Sequence, residues 1–245
     1  MTASIHEEIA NTLTREILTG QYRPGERLPS ERDLAARFDV NRGAVREALK
    51  KLEGLHLADI QPGGARVAPV EEASLDVIGH MLELDEVPSD DLVEQILLVV
   101  AALIGLAADN AVQRATDEEI EALRVIVGRL RDAAIAGDDD YIPRIELMQT
   151  FMDISGNLVS RLIARVLISQ FASRMTHVVR HHQIDQPGAI AAVYVHFDKA
   201  LAERDRVGVR DCLADHCEMH RVSLLRALAK VRDQHQPHLK DVAAK

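Results

Sequence analysis

Tryptophan is absent, and all aromatics together make up only 3 % of the chain. The hydrophobic residues amount to 47 %, so a core can form, but it must be built from Leu, Ile, Val and Ala. Proline (8) and glycine (13) are scarce among 245 residues, which favours a mostly helical architecture. Cysteine is nearly missing. Cys212 and Cys217 lie five apart, a spacing that points them to different sides of a helix, so neither a bridge nor a paired ligand site is expected. No window of about 18 residues is apolar throughout, as a membrane span requires. The longest apolar run, ILLVVAALIGLAA, suits a buried core helix. The opening MTASIHEEIANTLTREIL has no basic start followed by an apolar block, so no secretory signal is expected. The chain reads as cytoplasmic and reduced, with no membrane partner.

What is present is unevenly distributed. The formal net charge is −10, yet up to Val70 ten basic residues face ten acidic ones. The whole excess therefore falls on the remaining residues, and within Arg27–Lys51 the balance is seven basic to four acidic. An acidic chain as a whole does not suggest a nucleic-acid partner, but this segment does.

IHEEIANTLTREILTG places Ile5, Ile9, Leu13 and Ile17 at four-residue spacing and stops at Gly20. A Pro-Gly turn follows. Ser30 then opens SERDLAARF, where Ser30 and Asp33 form a short capping box. Asn41 can cap a third helix whose Val45, Ala48, Leu49 and Leu52 form one apolar face. Arg42, Arg46 and Lys50 fall on its other side. Two short extended runs around Pro-Gly-Gly, HLADI and ARVAPV, form a hairpin. Alone, three such cations are most simply a solvated face paired with Glu47 and Asp39. Helix, turn, helix, wing and local charge surplus together point instead to DNA. The first turn of the third helix enters the major groove, where a guanidinium fork can bind guanine O6 and N7. Arg32 then meets the groove wall, and the free N–H groups of Gly63 and Gly64 approach the sugar-phosphate backbone.

This stretch, PGERLPSERDLAARFDVNRGAVREALKKLEGLHLADIQPGGARV, resembles the winged helix-turn-helix of GntR-type bacterial transcription regulators. The resemblance implies that Arg32, Arg42 and Arg46 contact DNA, with Asn41, Gly43, Gly63 and Gly64 beside them. It also implies homodimers on short inverted repeats. Pro62 at the wing tip departs from relatives that donate from this position into the minor groove.

Beyond a polar boundary at Pro69, Glu71 and Glu72 the pattern predicts six or seven helices, the first from Leu75 to Glu86. The expected division is thus 1–70, a winged DNA-binding domain, and 71–245, an all-α ligand-binding and dimerisation domain. A bundle of this size has room for a pocket. His177 and His181, like His216 and His220, are four apart, a spacing that can share a divalent metal, though satisfied structural histidines are the simpler reading. With SGN at Ser155–Asn157, this half is similar to the effector domain of the FadR subfamily, many of whose members hold a metal on an Asp and three His. Those places here carry Arg144, Met148, Tyr194 and His216, so the expectation is an effector pocket with no metal and no cofactor. His196 lies two residues from one expected ligand position. The metal-free branch implies long-chain acyl-CoA as effector. A small carboxylate, with or without a metal, is the alternative.

The reading as a whole is a homodimeric repressor that binds a pseudo-palindromic operator and is released by a small-molecule effector. No phosphate loop, nucleophile elbow or pair of carboxylates placed for acid–base work appears, so no enzyme is expected. A helical enzyme or a scaffold is the competing class.

Overall fold

The computed structural model describes residues 4–85, 87–181 and 187–235, and the side chains of 172–187, 234 and 235 are not among those described. The fold is mainly helical, and the chain divides into two compact units, 1–88 and 89–245.

The first unit is a winged helix-turn-helix. α1 (Ile5–Leu18) begins in a reciprocal box of Ser4 and Glu7, and it buries Ile9, Leu13 and Ile17. α2 (Glu31–Phe38) starts where the Ser30 hydroxyl accepts from the Asp33 N–H at 3.2 Å and donates to the Asp33 carboxylate at 2.6 Å. Asp39, in the left-handed region at φ 53°, turns the chain. Asn41 then accepts from the Ala44 N–H at 3.0 Å and opens α3 (Arg42–Gly54). Val45, Ala48 and Leu52 are fully buried and Leu49 nearly so, as the apolar spacing predicts. β1 (Ala58–Gln61) and β2 (Gly64–Val67) pair antiparallel from Ala58↔Val67 to Gln61↔Gly64, which makes the wing. Its turn holds Gly63 at φ 110° and Gly64 at φ 132°, backbone that L side chains rarely adopt.

Two features depart from the sequence-based expectation. Residues 25–28 run along the outer side of β2: Leu28 N–H donates to Ala65 O, and Val67 N–H to Glu26 O, each at 2.9 Å. The unit also continues past residue 70 to Pro88. There the predicted helix from Leu75 to Glu86 is cut to α4 (Val77–Met81), whose Val77 joins the core beneath α1. The Arg15 guanidinium takes the carbonyls of Glu83 at 2.6 Å and Leu84 at 2.7 Å. A tertiary donor thereby stands in for the next helical turn.

The second unit is all-helical. It comprises α5 (Asp90–Arg114), α6 (Asp117–Ala136), α7 (Tyr141–Ser155), α8 (Leu158–His181), α9 (Pro187–Ala202) and α10 (Arg206–His235). Ser89 caps α5, a Thr116–Glu119 box starts α6, and Gly137 at φ 72° ends it. The fully buried Ala107, Ala108 and Ala111 let neighbouring helices approach α5 closely, and Phe151 stacks on Phe197 at 6.2 Å. α5 packs on α7, α8 and α10. By length and composition alone it could also cross a bilayer; the expected buried core helix is found only in part, since Leu98, Val99 and Leu106 stay exposed.

Candidate functional site

The cations of Arg27–Lys51 fall into two sets. Arg37 forks onto the buried carboxylate of Glu16, and Lys51 reaches Glu7 at 2.9 Å, so both hold α2 and α3 to α1. Arg27, Arg32, Arg42, Arg46 and Lys50 are exposed. Arg46 lies along Glu31 in a two-pronged pair, Nε to Oε1 at 3.1 Å and Nη2 to Oε2 at 2.9 Å. This bond holds the Glu31 carboxyl below its ordinary range. Lys50 meets Glu47 at 2.9 Å, and Arg32 sits 3.5 Å from Asp33. Such exposed pairs are screened by solvent and weak, so a phosphate can replace the carboxylate at little cost. At the wing, a Cβ added to Gly64 would stand 2.9 Å from Arg27 Nε. The Arg27 guanidinium therefore lies directly across the glycine tip.

In the second unit, α5, α7, α8 and α10 line a cavity of ≈ 160 Å³ that opens to solvent. Its walls are mostly apolar, with Ile96, Val100, Ile104, Met148, Ile168, Phe171 and Leu213 among them. Arg144 brings a guanidinium into this lining. Asp140 holds Arg144 Nε at 2.8 Å and lies 3.6 Å from His220 Nε2. Behind the lining, the Tyr194 hydroxyl is 2.9 Å from His216 Nδ1 and 3.5 Å from His220 Nε2. All three rings are buried. Burial, and then the charge of Arg144, push His216 down to about 3, so its imidazole is neutral. Burial also raises the Tyr194 hydroxyl, the Cys217 thiol (to about 11) and the Asp140 carboxyl, the last against the pull of Arg144. One arrangement of protons satisfies the whole chain of contacts. The one proton on His220 Nε2 lies between the Tyr194 oxygen at 3.5 Å and the Asp140 carboxylate at 3.6 Å, and Tyr194 donates to His216 Nδ1. His216 then keeps its proton on Nε2 as a donor.

Residues 5–67 match the sequence profile of the bacterial regulatory proteins of the gntR family, and residues 95–219 match the FCD domain. The chain belongs to the GntR family. Among curated relatives of this GntR regulator is the HTH-type transcriptional regulator Mce2R of Mycobacterium tuberculosis, 26 % identical over 92 % of this chain and 93 % of that one. The HTH-type transcriptional repressor NanR of Citrobacter rodentium is 29 % identical over 86 % and 82 %. The fatty acid metabolism regulator protein of Shewanella halifaxensis is 32 % identical over 62 % of each. A solved structure of Lar, which controls the expression of the Listeria monocytogenes agr system, covers 92 % of this chain and 99 % of its own, at a TM-score of 0.55 and 15 % identity. That last likeness shows the fold.

The GntR regulator brings its sequence-predicted residues together within each unit. Arg32, Arg42 and Arg46 share the exposed side of α2 and α3. Asn41 and Gly43 have a local task as well: a Cβ on Gly43 would stand 3.0 Å from the Asn41 oxygen that caps α3. Arg144, Met148 and His216 line the cavity, whereas Tyr194 stands behind His216. Sequence reasoning passed over Arg27 and Asp140. The signal for Asp140 was available, because it stands one helical turn before Arg144. For Arg27 there was none, since its place depends on the pairing of residues 25–28 with β2. His220 was read only as half of a histidine pair. A divalent cation does not fit this donor set: a guanidinium occupies the lining, and one imidazole nitrogen of His216 faces Tyr194. Among the described residues no three His, Cys, Asp or Glu side chains are grouped to hold a metal. His196 Nδ1 donates to the Ala192 carbonyl at 2.8 Å from an exposed position away from the cavity, and the side chains of His177 and His181 lie outside the described residues.

Proposed function

We propose that this GntR regulator is a cytoplasmic homodimeric repressor that releases its operator on binding a small organic carboxylate. That it is a DNA-binding transcription regulator with an effector-binding FCD domain follows from its family. The finer reading rests chiefly on one observation, the buried guanidinium of Arg144 set into a mostly apolar cavity whose other guanidinium, Arg221, is taken by Glu94 and Glu218. A single forked cation matches a single carboxylate, and the walls suit a short apolar body. Long-chain acyl-CoA, implied by the FadR resemblance, has less to hold it. Its phosphates need several cations, and the groove beside the cavity offers Arg210 and Arg221 together with Asp109 and Glu218. Arg221 already pairs with Glu94 and Glu218.

On the DNA side, Arg42 and Arg46 enter the major groove, Arg32 meets the backbone, and Arg27 joins Gly63 and Gly64 at the wing. Two such heads on a pseudo-palindrome require a dimer. The exposed Leu98, Val99 and Leu106 of α5 support an apolar contact with a second copy. A carboxylate can act only through its preference for the bundle shape that misfits the operator. The test is a gel shift against the chain's own upstream DNA. A specific shift, lost in the Arg42→Ala, Arg46→Ala double variant and reversed by a short-chain acid, is expected. Reversal by palmitoyl-CoA but by no free acid would move the effector to the acyl-CoA class.

A further inference from the structure

The two guanidinium groups that line the pocket are already paired, Arg221 with Glu94 and Glu218 and Arg144 with Asp140. Arg144 and Asp140 meet at 2.8 Å, with side chains only 13 % and 17 % exposed. A carboxylate that takes Arg144 must therefore share it with Asp140 or displace it, and either leaves one anion too many in a mostly apolar cavity. Two carboxylates at one site do not both stay ionised, and an uncompensated buried charge is strongly unfavourable.

The groups facing Asp140 limit where a compensating proton can go. From α7 come Arg144, the Tyr141 ring beneath it and the exposed Asp139. From α9 comes Tyr194, which holds its proton already. From α10 come His216, held neutral with Nδ1 engaged by Tyr194, the protonated thiol of Cys217, and Arg221, tied to Glu94 and Glu218. α5 and the described part of α8 present apolar side chains to the cavity. Among the described residues what remains is Asp140 itself and His220, 3.6 Å apart and close enough to share one proton. Resting on the carboxylate reading above, we infer that the effector binds by exchange: its carboxylate takes Arg144 from Asp140, and the Asp140–His220 pair takes up one proton from solvent. Acidification thus tightens effector binding, and Asp140 sets the affinity by competing for the same guanidinium.

Sodium hexanoate and sodium benzoate are the probes, titrated calorimetrically into the full-length protein near neutral pH in buffers of different ionisation enthalpy. The slope of observed enthalpy against buffer enthalpy should give an uptake of about one proton, and Kd should rise about tenfold per pH unit above neutrality. In Asp140→Asn the uptake should fall towards zero and hexanoate should bind more tightly, while Arg144→Met should lose it. Binding by the wild type without proton uptake, or undiminished uptake in Asp140→Asn, would overturn the exchange and leave the carboxylate site standing. No heat from either acid with the folded wild-type protein would sink the carboxylate reading and the exchange together.

Discussion

Arg42 and Arg46 differ in what each must give up to reach DNA. Arg46 is held by Glu31 through two bonds, whereas Arg42 stands at the exposed start of α3. If both read base edges, Ala at either position should weaken operator binding by about 1–3 kcal/mol and relax sequence preference, measured by fluorescence anisotropy at one fixed salt concentration. At the wing the constraint is backbone geometry. Gly64→Ala meets a φ of 132° and a guanidinium 2.9 Å away, so it should cost more than about 1 kcal/mol of stability and displace Arg27 from the tip. Urea denaturation and DNA affinity should both report it. In the pocket, His216 gives a pH dependence whose sign is fixed. Its ordinary value of 6.5 falls to about 3 in the folded protein. Between those values the unfolded chain binds the extra proton, so stability is full above about pH 6.5 and is lost as pH falls, by up to about 1.4 kcal/mol per unit. Asp140, raised by burial, acts in the opposite sense. It is common to wild type and His216→Asn, so the comparison isolates His216. Urea denaturation near pH 7 and near pH 5 should show the wild type losing about 2 kcal/mol that the variant keeps; equal losses would refute the neutral imidazole.

At the scale of elements, what could be read from the sequence was what local chemistry decides. Ser30, Asn41, Ser89 and Thr116 cap the helices they precede, and Gly137 ends α6, because each acts on backbone groups within one turn. The apolar face of α3 was legible for the same reason. The shortening of α4 was not, because the carbonyls just beyond it, those of Glu83 and Leu84, are taken by Arg15, nearly seventy residues earlier. Nor was the strand-like run at residues 25–28, whose partners lie across the wing. The pocket divides along the same line. Arg144, Met148 and His216 were readable through resemblance, but the Asp140–His220 contact joins two helices that no spacing rule connects. Asn41 tests how far a local role accounts for a residue. Its side-chain oxygen caps α3, so Asn41→Ala should destabilise the head by about 1 kcal/mol. Asn41→Asp should restore that stability, since Asp is an equally good cap. If Asp restores the denaturation midpoint but not DNA affinity, Asn41 also touches DNA; if it restores both, capping is its whole contribution.

Across the whole molecule the charges are partitioned by task. The face proposed to meet DNA gathers exposed cations in a segment whose net charge is positive, while the acidic excess lies beyond Val70. A negative bundle adds nothing to phosphate attraction, so operator binding should depend on salt only through the few cations of each head. Regulation then rests on free energy exchanged between two sites, whatever path carries it, and such exchange is reciprocal. If hexanoate weakens operator affinity by some factor, the operator must weaken hexanoate by the same factor. Anisotropy titrations with and without saturating hexanoate give the first number. Calorimetric titrations of hexanoate into free and operator-bound protein give the second. Linkage makes the two factors equal wherever the acid binds, so the Arg144 cavity belongs to the switch if the factor vanishes from both measurements in Arg144→Met, which lacks the cation for the acid. A factor that persists in Arg144→Met would show that the acid acts at a second place.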